Sequence, residues 1–410
     1  MQLLGNQLTL RGLQCEYWFL RGSNRFPEFQ ATGAATLAPL SKLAARLERG
    51  EFDVIHMTAS DEYAPIVARI AGKARVIVTA RGALAEGWNQ DTCFAYTAIS
   101  NGMAAVNQPY TNIAIEVVRN AINVERYSPP VKRASGTPIV AFVGRTTDTV
   151  KNFPRFTRIA KHLIDQGARV WIADPHNANW EKFTDANVQQ FPVERWGAVS
   201  QADIPDFYRV VAASGGVVLM TSLSEGFGNV APEAAASGAR VAAPDVMGLR
   251  EAIVHNVTGR LFPADASDES VAGMLHEWMQ ESFDMHAVSS AARQNFSPSV
   301  LTDAYVKIYA RPDQHRQTQT AESPRYAERD LLLQHLTVQR ALRARAALMT
   351  ARDFASEGYG DLALETLAFG LRTAPGQFAT AFGARHLAGT FRALLGRSAV
   401  RRIVHRMRKA

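Results

Sequence analysis

The sequence predicts an α/β protein of two halves, each wound around a parallel sheet, followed by an all-α extension. Three observations carry that prediction. Short β-rich apolar runs alternate with helical-period segments from Cys15 onward, the pattern of successive βα units. The Pro- and Ser-containing stretch Tyr127–Pro138 interrupts this series, and a second one starts after it. Beyond Pro312 glycine falls, Glu and Gln rise briefly, and Ala/Leu/Arg helical periodicity runs through Ala410.

In chain order, Met1–Leu13 reads as a helix, and the strands of the first half are Tyr17–Leu20, Val54–Met57, Val76–Thr79, Tyr96–Ser100 and Ile113–Val117. Helices such as Leu40–Arg49 and Glu62–Ala71 separate them. The second half offers strands Ile139–Val143, Arg169–Ala173, Val188–Phe191, Val217–Met220 and Arg240–Ala243. The expected organisation is therefore a first domain over 1–126, a linker over 127–137, a second domain over 138–310, a linker over 311–323 and a helical appendage over 324–410. Two α/β halves on a linker imply a cleft, and ligands of open α/β sheets bind beyond the carboxyl ends of the strands. Strand Val217–Met220 runs directly into TSLSEGFG, which places the expected site there.

Within the appendage, Phe354, Gly360, Ala363, Leu367 and Pro375 keep the spacing of a single tetratricopeptide helix pair, with a plain helical hairpin as the alternative. One such pair cannot bury both faces, so it is expected to dock on the main body or on a partner.

Composition bounds the function. A chain of 410 residues, 47% of them apolar, can bury large cores, which excludes a disordered or fibrous protein. Cys15 and Cys93 cannot build a disulfide framework or a four-ligand zinc site, and they suit a reducing compartment. No basic segment followed by an apolar one opens the chain, and no uninterrupted apolar run reaches the ~18 residues of a membrane span. The net charge of +7 is concentrated in the tail, where Arg385, Arg392, Arg397, Arg401, Arg402, Arg406, Arg408 and Lys409 occur without Asp or Glu.

The chemistry centres on SEGFGNVAPEA, in which Glu225 and Glu233 stand on either side of a glycine-bearing turn at a predicted helix start. A helix start offers free N–H groups and positive potential to phosphate oxygens. Carboxylates beside it suit neutral hydroxyl donors. The ligand read from these residues therefore has both a phosphate and several hydroxyls, as a nucleotide sugar does. A helix-capping role would explain one glutamate but not the whole string. Cleaving a sugar–phosphate bond leaves charge on the diphosphate, which calls for fixed cations nearby. Arg145, at the end of strand Ile139–Val143, and Lys151 can supply them.

With these residues in view, four segments resemble the retaining glycosyltransferases of the GT-B fold, in particular family 4 (glycosyl transferases group 1). VVRNAINVERYSP resembles the interdomain strand and Asn-centred turn, and VAFVGRTTDTVKNF the strand followed by Gly-Arg and a later Lys. SEGFGNVAPEAAASG is similar to the Glu-x7-Glu signature, and DVMGLREAIVHNVTGRLF to the segment closing the nucleotide site. The resemblance spans about residues 1–310, most specifically in their second half. It implies two Rossmann-like domains facing across a cleft. It also implies a catalytic set of Glu225, Arg145 and Lys151, with the two cations on the diphosphate and Glu225 accepting from donor-sugar hydroxyls. The donor-binding set becomes Gly226, Phe227, Gly228, Asn229 and Val230 through backbone amides, with Glu233 on the ribose.

Two departures from the family pattern shape the other half. VTARGAL places Ala80 and Arg81 where many members carry a histidine, so Arg81 becomes an acceptor-side candidate. His56 in DVIHM, which matches a histidine common at the end of a family N-domain strand, is a second acceptor-side candidate, although a histidine between Ile55 and Met57 more often fits a packed core position. The opening strand and glycine-rich loop of the family are not found before Met1–Leu13, so the expectation is a true start upstream or a lost central strand.

The reading is a metal-independent retaining glycosyltransferase of the hexosyltransferase type, using a nucleoside-diphosphate sugar as co-substrate and no other cofactor. No Asp-x-Asp triplet of the metal-holding type occurs. The acceptor is a glycan, a lipid-linked saccharide or a small molecule. The protein is expected in the cytoplasm, peripheral on the inner membrane face. Leu394, Leu395, Val400, Ile403, Val404 and Met407 lie among the tail's basic residues, an amphipathic pattern suited to an anionic surface. No nucleic-acid motif is present. The competing readings are a non-catalytic sugar-nucleotide-binding scaffold and, behind it, a GT-B-fold epimerase.

Overall fold

The computed structural model describes residues 2–20, 26–31, 34–58, 64–82, 93–108, 111–134, 136–174, 193–200, 202–312, 344–345 and 347–407. The chain divides into two compact units: Met1–Ala98 with Met103–Val117 and Val306–Ala410, and Ile99–Gly102 with Val118–Tyr305. The division thus falls at Val118, where the sequence reading put it after residue 126. The cause is local: Ile122 N–H donates to the Phe296 carbonyl and Arg293 reaches the carbonyls of Val124 and Tyr127, so 118–126 pack with the second unit. Of the two dockings expected for the appendage, main body or partner, the chain shows the first, since 306–410 group with the first unit.

The first unit holds two sheets. Strand β1 (Tyr17–Phe19) pairs in parallel with β2 (Ala35–Leu37), and β3 (Val54–Thr58), β4 (Arg75–Ala80), β5 (Ala95–Ala98) and β6 (Ile115–Val117) form a separate parallel sheet in that order. Helix α1 (Gln2–Leu10) is held to β1 by the Tyr17 hydroxyl, which donates to the Gln2 carbonyl. A short helix α2 (Phe26–Gln30) joins β1 to β2. Helix α3 (Leu40–Glu48) buries Leu40, Leu43, Ala44 and Leu47, one stripe at the helical period. Arg46 lies off that stripe: its guanidinium is bidentate on Glu16, just before β1, and reaches Glu51, just before β3. One side chain therefore ties the starts of the two sheets.

Helices α4 (Ala64–Ile70) and α5 (Asn101–Asn107) complete the α/β part. The appendage consists of a helix over 347–356 (α13), α14 (Gly360–Thr373) and α15 (Ala381–Met407). Leu348, Ala351 and Leu367 form its small core with Phe378, Phe382 and Leu387. It meets the α/β part through Lys42–Glu357 at 2.8 Å and through the Tyr359 hydroxyl, 3.5 Å from Glu48.

The second unit is one six-stranded parallel sheet in the order β12-β11-β10-β7-β8-β9. Its strands are β7 (Ile139–Val143), β8 (Arg169–Ala173), β9 (Val193–Gly197), β10 (Val217–Leu219), β11 (Arg240–Pro244) and β12 (Arg260–Phe262). The central strands are buried on both faces, which is why they read as continuous apolar runs. The predicted strand Val188–Phe191 lies outside the described residues. Helix α6 (Phe153–Asp165) supplies Phe153, Phe156, Ile159 and Leu163 to the core on one side of the sheet. Helices α7 (Ile204–Ala213), α8 (Val230–Ala236), α9 (Leu249–Ala252), α10 (Asp268–Gln280), α11 (Met285–Phe296) and α12 (Pro298–Tyr309) follow. Strand order reverses between β7 and β10, so their carboxyl ends open a crevice, the place where doubly wound sheets take ligands.

Among the described residues no helix is long and apolar enough to cross a membrane.

Candidate functional site

The crevice between β7 and β10 is lined by the two loops that carry the sequence-predicted residues. After β7, Asp148 caps a 3-10 turn, Thr149–Lys151, by accepting from Val150 N–H at 3.1 Å. The left-handed Asn152 then starts α6. After β10, the Thr221 hydroxyl donates to the carbonyls of Lys151 and Asn152, and Leu223 N–H donates to Val150 O at 2.8 Å. The two loops are thus stitched to each other by backbone groups.

That stitching puts Lys151 Nζ 2.6 Å from Glu225 Oε1, which also accepts from the Ser222 hydroxyl at 2.7 Å. Both bonds fall on Oε1; Oε2 has no partner among the described residues. The Glu225 main chain is equally fixed, its N–H donating to Met247 O at 3.0 Å. Gly248 approaches so closely, at φ +81°, that a Cβ there would lie 2.2 Å from the Glu225 carbonyl oxygen. Only glycine allows this approach.

Arg145 lies in the same loop but pairs with Asp148 and is about half exposed. The structure brings together Lys151, Ser222 and Glu225 and leaves Arg145 to one side of them. In the string after Glu225, the Gly226 carbonyl accepts from Ser100 at 2.7 Å, Phe227 is buried against Phe296, and the Asn229 side chain accepts from Asn120. Phe227 can therefore offer a ligand only its backbone. Gly228, at φ +90°, makes the turn into α8, whose first residue is Val230.

Glu233 sits in the first turn of α8 beside two buried tyrosines. The Tyr208 hydroxyl from α7 stands 3.5 Å from Oε2, and Tyr127 also hydrogen-bonds the carboxylate. Burial pushes the Glu233 carboxyl up to about 7, against the lowering effect of Tyr127, Arg126 and Tyr208.

The acceptor-side candidates both lie in the first unit. Both ring nitrogens of His56 are occupied, Nδ1 by the Tyr309 hydroxyl at 2.7 Å and Nε2 by Thr79 at 2.6 Å. Burial pushes its pKa down to about 3, so it is a neutral tie within the sheet, the packed-core alternative. Arg81 follows β4, exposed, and its charge contributes to that depression.

Sequence reasoning missed Ser222, Thr221, Tyr127, Tyr208 and Gly248. Ser222 and Gly248 lie inside segments already singled out. Tyr127 lies inside one as well, VVRNAINVERYSP, but nothing local ties it or Tyr208 to Glu233, since only the packing of α7 and of residue 127 against α8 brings them there.

Two α/β units with parallel sheets and a helical C-terminal region define the class, the GT-B fold, which the chain shares with solved glycosyltransferase structures. Residues 137–280 match the family described as Glycosyl transferases group 1. The matched segment spans β7 to β12 and so includes the crevice between β7 and β10.

Among solved structures, a glycosyltransferase from Rickettsia africae is similar with a TM-score of 0.63 and 18% identity, over 75% of this chain and 92% of that one. The lipopolysaccharide outer core galactosyltransferase WaaB follows at 0.59 and 16%, over 74% and 92%. HepE from Anabaena, in complex with UDP-glucose, gives 0.56 and 14%, over 75% and 93%. An uncharacterised 41.2 kDa protein of the cps region of Klebsiella pneumoniae is 25% identical, the match covering 54% of this chain and 62% of that relative.

Proposed function

We propose that the protein is a retaining glycosyltransferase that moves a hexose from a nucleoside-diphosphate sugar to a saccharide, lipid-linked or small-molecule acceptor in polysaccharide assembly, without a metal. The observation that carries this reading is the Lys151–Glu225 pair at 2.6 Å in the crevice between β7 and β10. A diphosphate entering there competes for Lys151 Nζ, and the open Oε2 of Glu225 accepts a sugar hydroxyl. Lys151, joined by Arg145 once it leaves Asp148, neutralises the charge that develops on the β-phosphate, the role a metal plays elsewhere. Backbone N–H groups of 226–230 and the ribose acceptor Glu233 complete the donor seat.

In the transfer step the bond from the anomeric carbon to the β-phosphate oxygen breaks and a bond to the acceptor oxygen forms on the same face. The departing phosphate oxygen takes the acceptor proton, so no enzyme histidine is needed at Ala80 or Arg81. Support for polysaccharide assembly comes from the cps-region relative and from the lipopolysaccharide galactosyltransferase neighbour. Support for a nucleotide sugar comes from the UDP-glucose complex of HepE. The basic tail after Arg385 fits a cytoplasmic protein lying on an anionic bilayer face.

The test is release of nucleoside diphosphate from UDP- and GDP-sugars in the presence of a cell-envelope acceptor extract, with a chelator in one arm. Turnover that survives the chelator and is lost in Glu225→Ala supports the reading. Binding of a nucleotide sugar with no release under any acceptor supports the non-catalytic scaffold instead.

A further inference from the structure

Glu233 is not a bare carboxylate at a helix start. Tyr208 and Tyr127, both buried, flank it from different elements, and their rings stand 6.4 Å apart at 45°. The glutamate itself keeps part of its surface open. Enclosing a carboxylate on one side by two hydroxyl donors, while leaving it reachable from the other, is unnecessary for a helix cap. An N-cap role also falls to the residue before the helix, not to the first turn's interior. Resting on the glycosyltransferase reading, we propose that Tyr127 and Tyr208 are positioning residues that hold Glu233 ionised as the acceptor of the donor nucleotide's ribose hydroxyls, so that donor affinity follows the proton on Glu233.

The physical argument is one of roles. Two ribose hydroxyls both donate, and only the ionised carboxylate accepts on both oxygens, since the protonated acid spends one oxygen as a donor. Burial favours the protonated carboxyl, and the two tyrosine hydroxyls and Arg126 oppose it. Charged groups on the other elements around α8 are engaged elsewhere. Arg240 of β11 donates to the carbonyls of Gly215 and Glu281, and Glu251 of α9 accepts from Asn101 and Gly102. Arg293 of α11 donates to the carbonyls of Val124 and Tyr127, and His286 is exposed. The tyrosines are thus the groups whose removal shifts the balance without adding or deleting a charge.

The experiment measures UDP and GDP affinity between about pH 6 and pH 9 for the full chain and for Tyr208→Phe, Tyr127→Phe and Glu233→Gln. The intact protein is expected to lose about tenfold in affinity from pH 8 to pH 6, since the carboxylate fraction falls by that factor around pH 7. Tyr208→Phe, isosteric in a fully buried site, is expected to move the midpoint upward. Its fold-defect is then largest at the acid end of the range and vanishes near pH 9, whereas loss of packing alone would give a defect equal at every pH. Glu233→Gln is expected to flatten the profile.

A ligand-free readout separates the two readings. The folded-state pKa of Glu233 lies above the unfolded value, so its contribution to stability is present below about pH 4.5 and is lost as pH rises through about 7. Glu233→Gln is accordingly expected to unfold at a higher temperature than the parent at pH 8 and at the same temperature near pH 4.5. Nucleotide binding with pH-independent affinity overturns the inference and leaves the glycosyltransferase reading standing. A chain that binds no nucleoside diphosphate at any pH, with its stability profile as expected, overturns the glycosyltransferase reading and the ribose role with it.

Discussion

In the proposed transfer Lys151 and Glu225 carry the chemistry, and their pairing makes opposite demands on two substitutions. Lys151→Ala removes a cation from the leaving group, and kcat is expected to fall by about 10²–10³, the usual effect of deleting one transition-state donor. Glu225→Gln keeps an acceptor oxygen but lets Lys151 go; steady-state kinetics should show its loss divided between donor KM and kcat. Gly248→Ala tests the support beneath them. A Cβ 2.2 Å from the Glu225 carbonyl oxygen, at φ +81°, forces the loop apart, which is expected to cost about 1–3 kcal/mol in thermal unfolding and to depress turnover together with it. Glu225, Glu233, Lys151 and Arg145 stood out as candidates because each sits at a fixed offset from a strand end or a glycine turn, and of the two cations it is Lys151 that the structure sets on Glu225 while Arg145 pairs with Asp148. Ser222 was legible only as a neighbour. Tyr127 and Tyr208 were not, because they are 106 and 25 residues from Glu233 in sequence and meet it only through packing.

Among the elements, β7 and β8 were read to the residue, because apolar runs buried on both faces end abruptly at polar or glycine positions. The three-residue strands β2 and β12 were not: unlike the equally short β10, whose run Val217–Met220 is apolar throughout, they include Thr36 or Arg260 and run into Pro39 or Pro263. Strand β9 was hidden by its exposed, charged middle, Glu194–Trp196, which reads as surface loop. In the first unit the absence of a strand joining β1 to β3 among the described residues leaves two parallel sheets where a doubly wound unit has one. Arg46 bridges their starts, yet its partners are partly exposed and such pairs contribute about 0–1 kcal/mol.

The stronger element-scale tie is His56. Its folded pKa is depressed from 6.5 to about 3, so the stability it contributes is present above about pH 6.5 and is lost as pH falls toward 3. Thermal unfolding followed from pH 7 to pH 4 should show a falling midpoint that His56→Gln flattens.

For the molecule as a whole, composition and motif spacing gave the two α/β units and the helical extension. They did not show that the extension rejoins the first unit, because Lys42–Glu357 and the contact between Tyr359 and Glu48 link residues more than 300 apart. Removing residues 344–410 is expected to lower the unfolding temperature of the first unit and spare nucleotide binding by the second, a difference that calorimetry with and without UDP resolves. Co-sedimentation with vesicles carrying anionic lipid should likewise be lost when 385–410 are removed, and should weaken with salt.

The discontinuity of the first unit has a consequence for biosynthesis. Its opening strands emerge from the ribosome first, but Tyr309 and Arg311 emerge 253 and 195 residues after His56 and Glu116, the residues they bond. The inserted second unit is continuous apart from four residues and has its whole sheet within reach by Tyr305. Translation therefore delivers the sheet of the second unit complete while the first unit is still waiting for its last ties, and the nascent first unit is the stretch on which a chaperone would act.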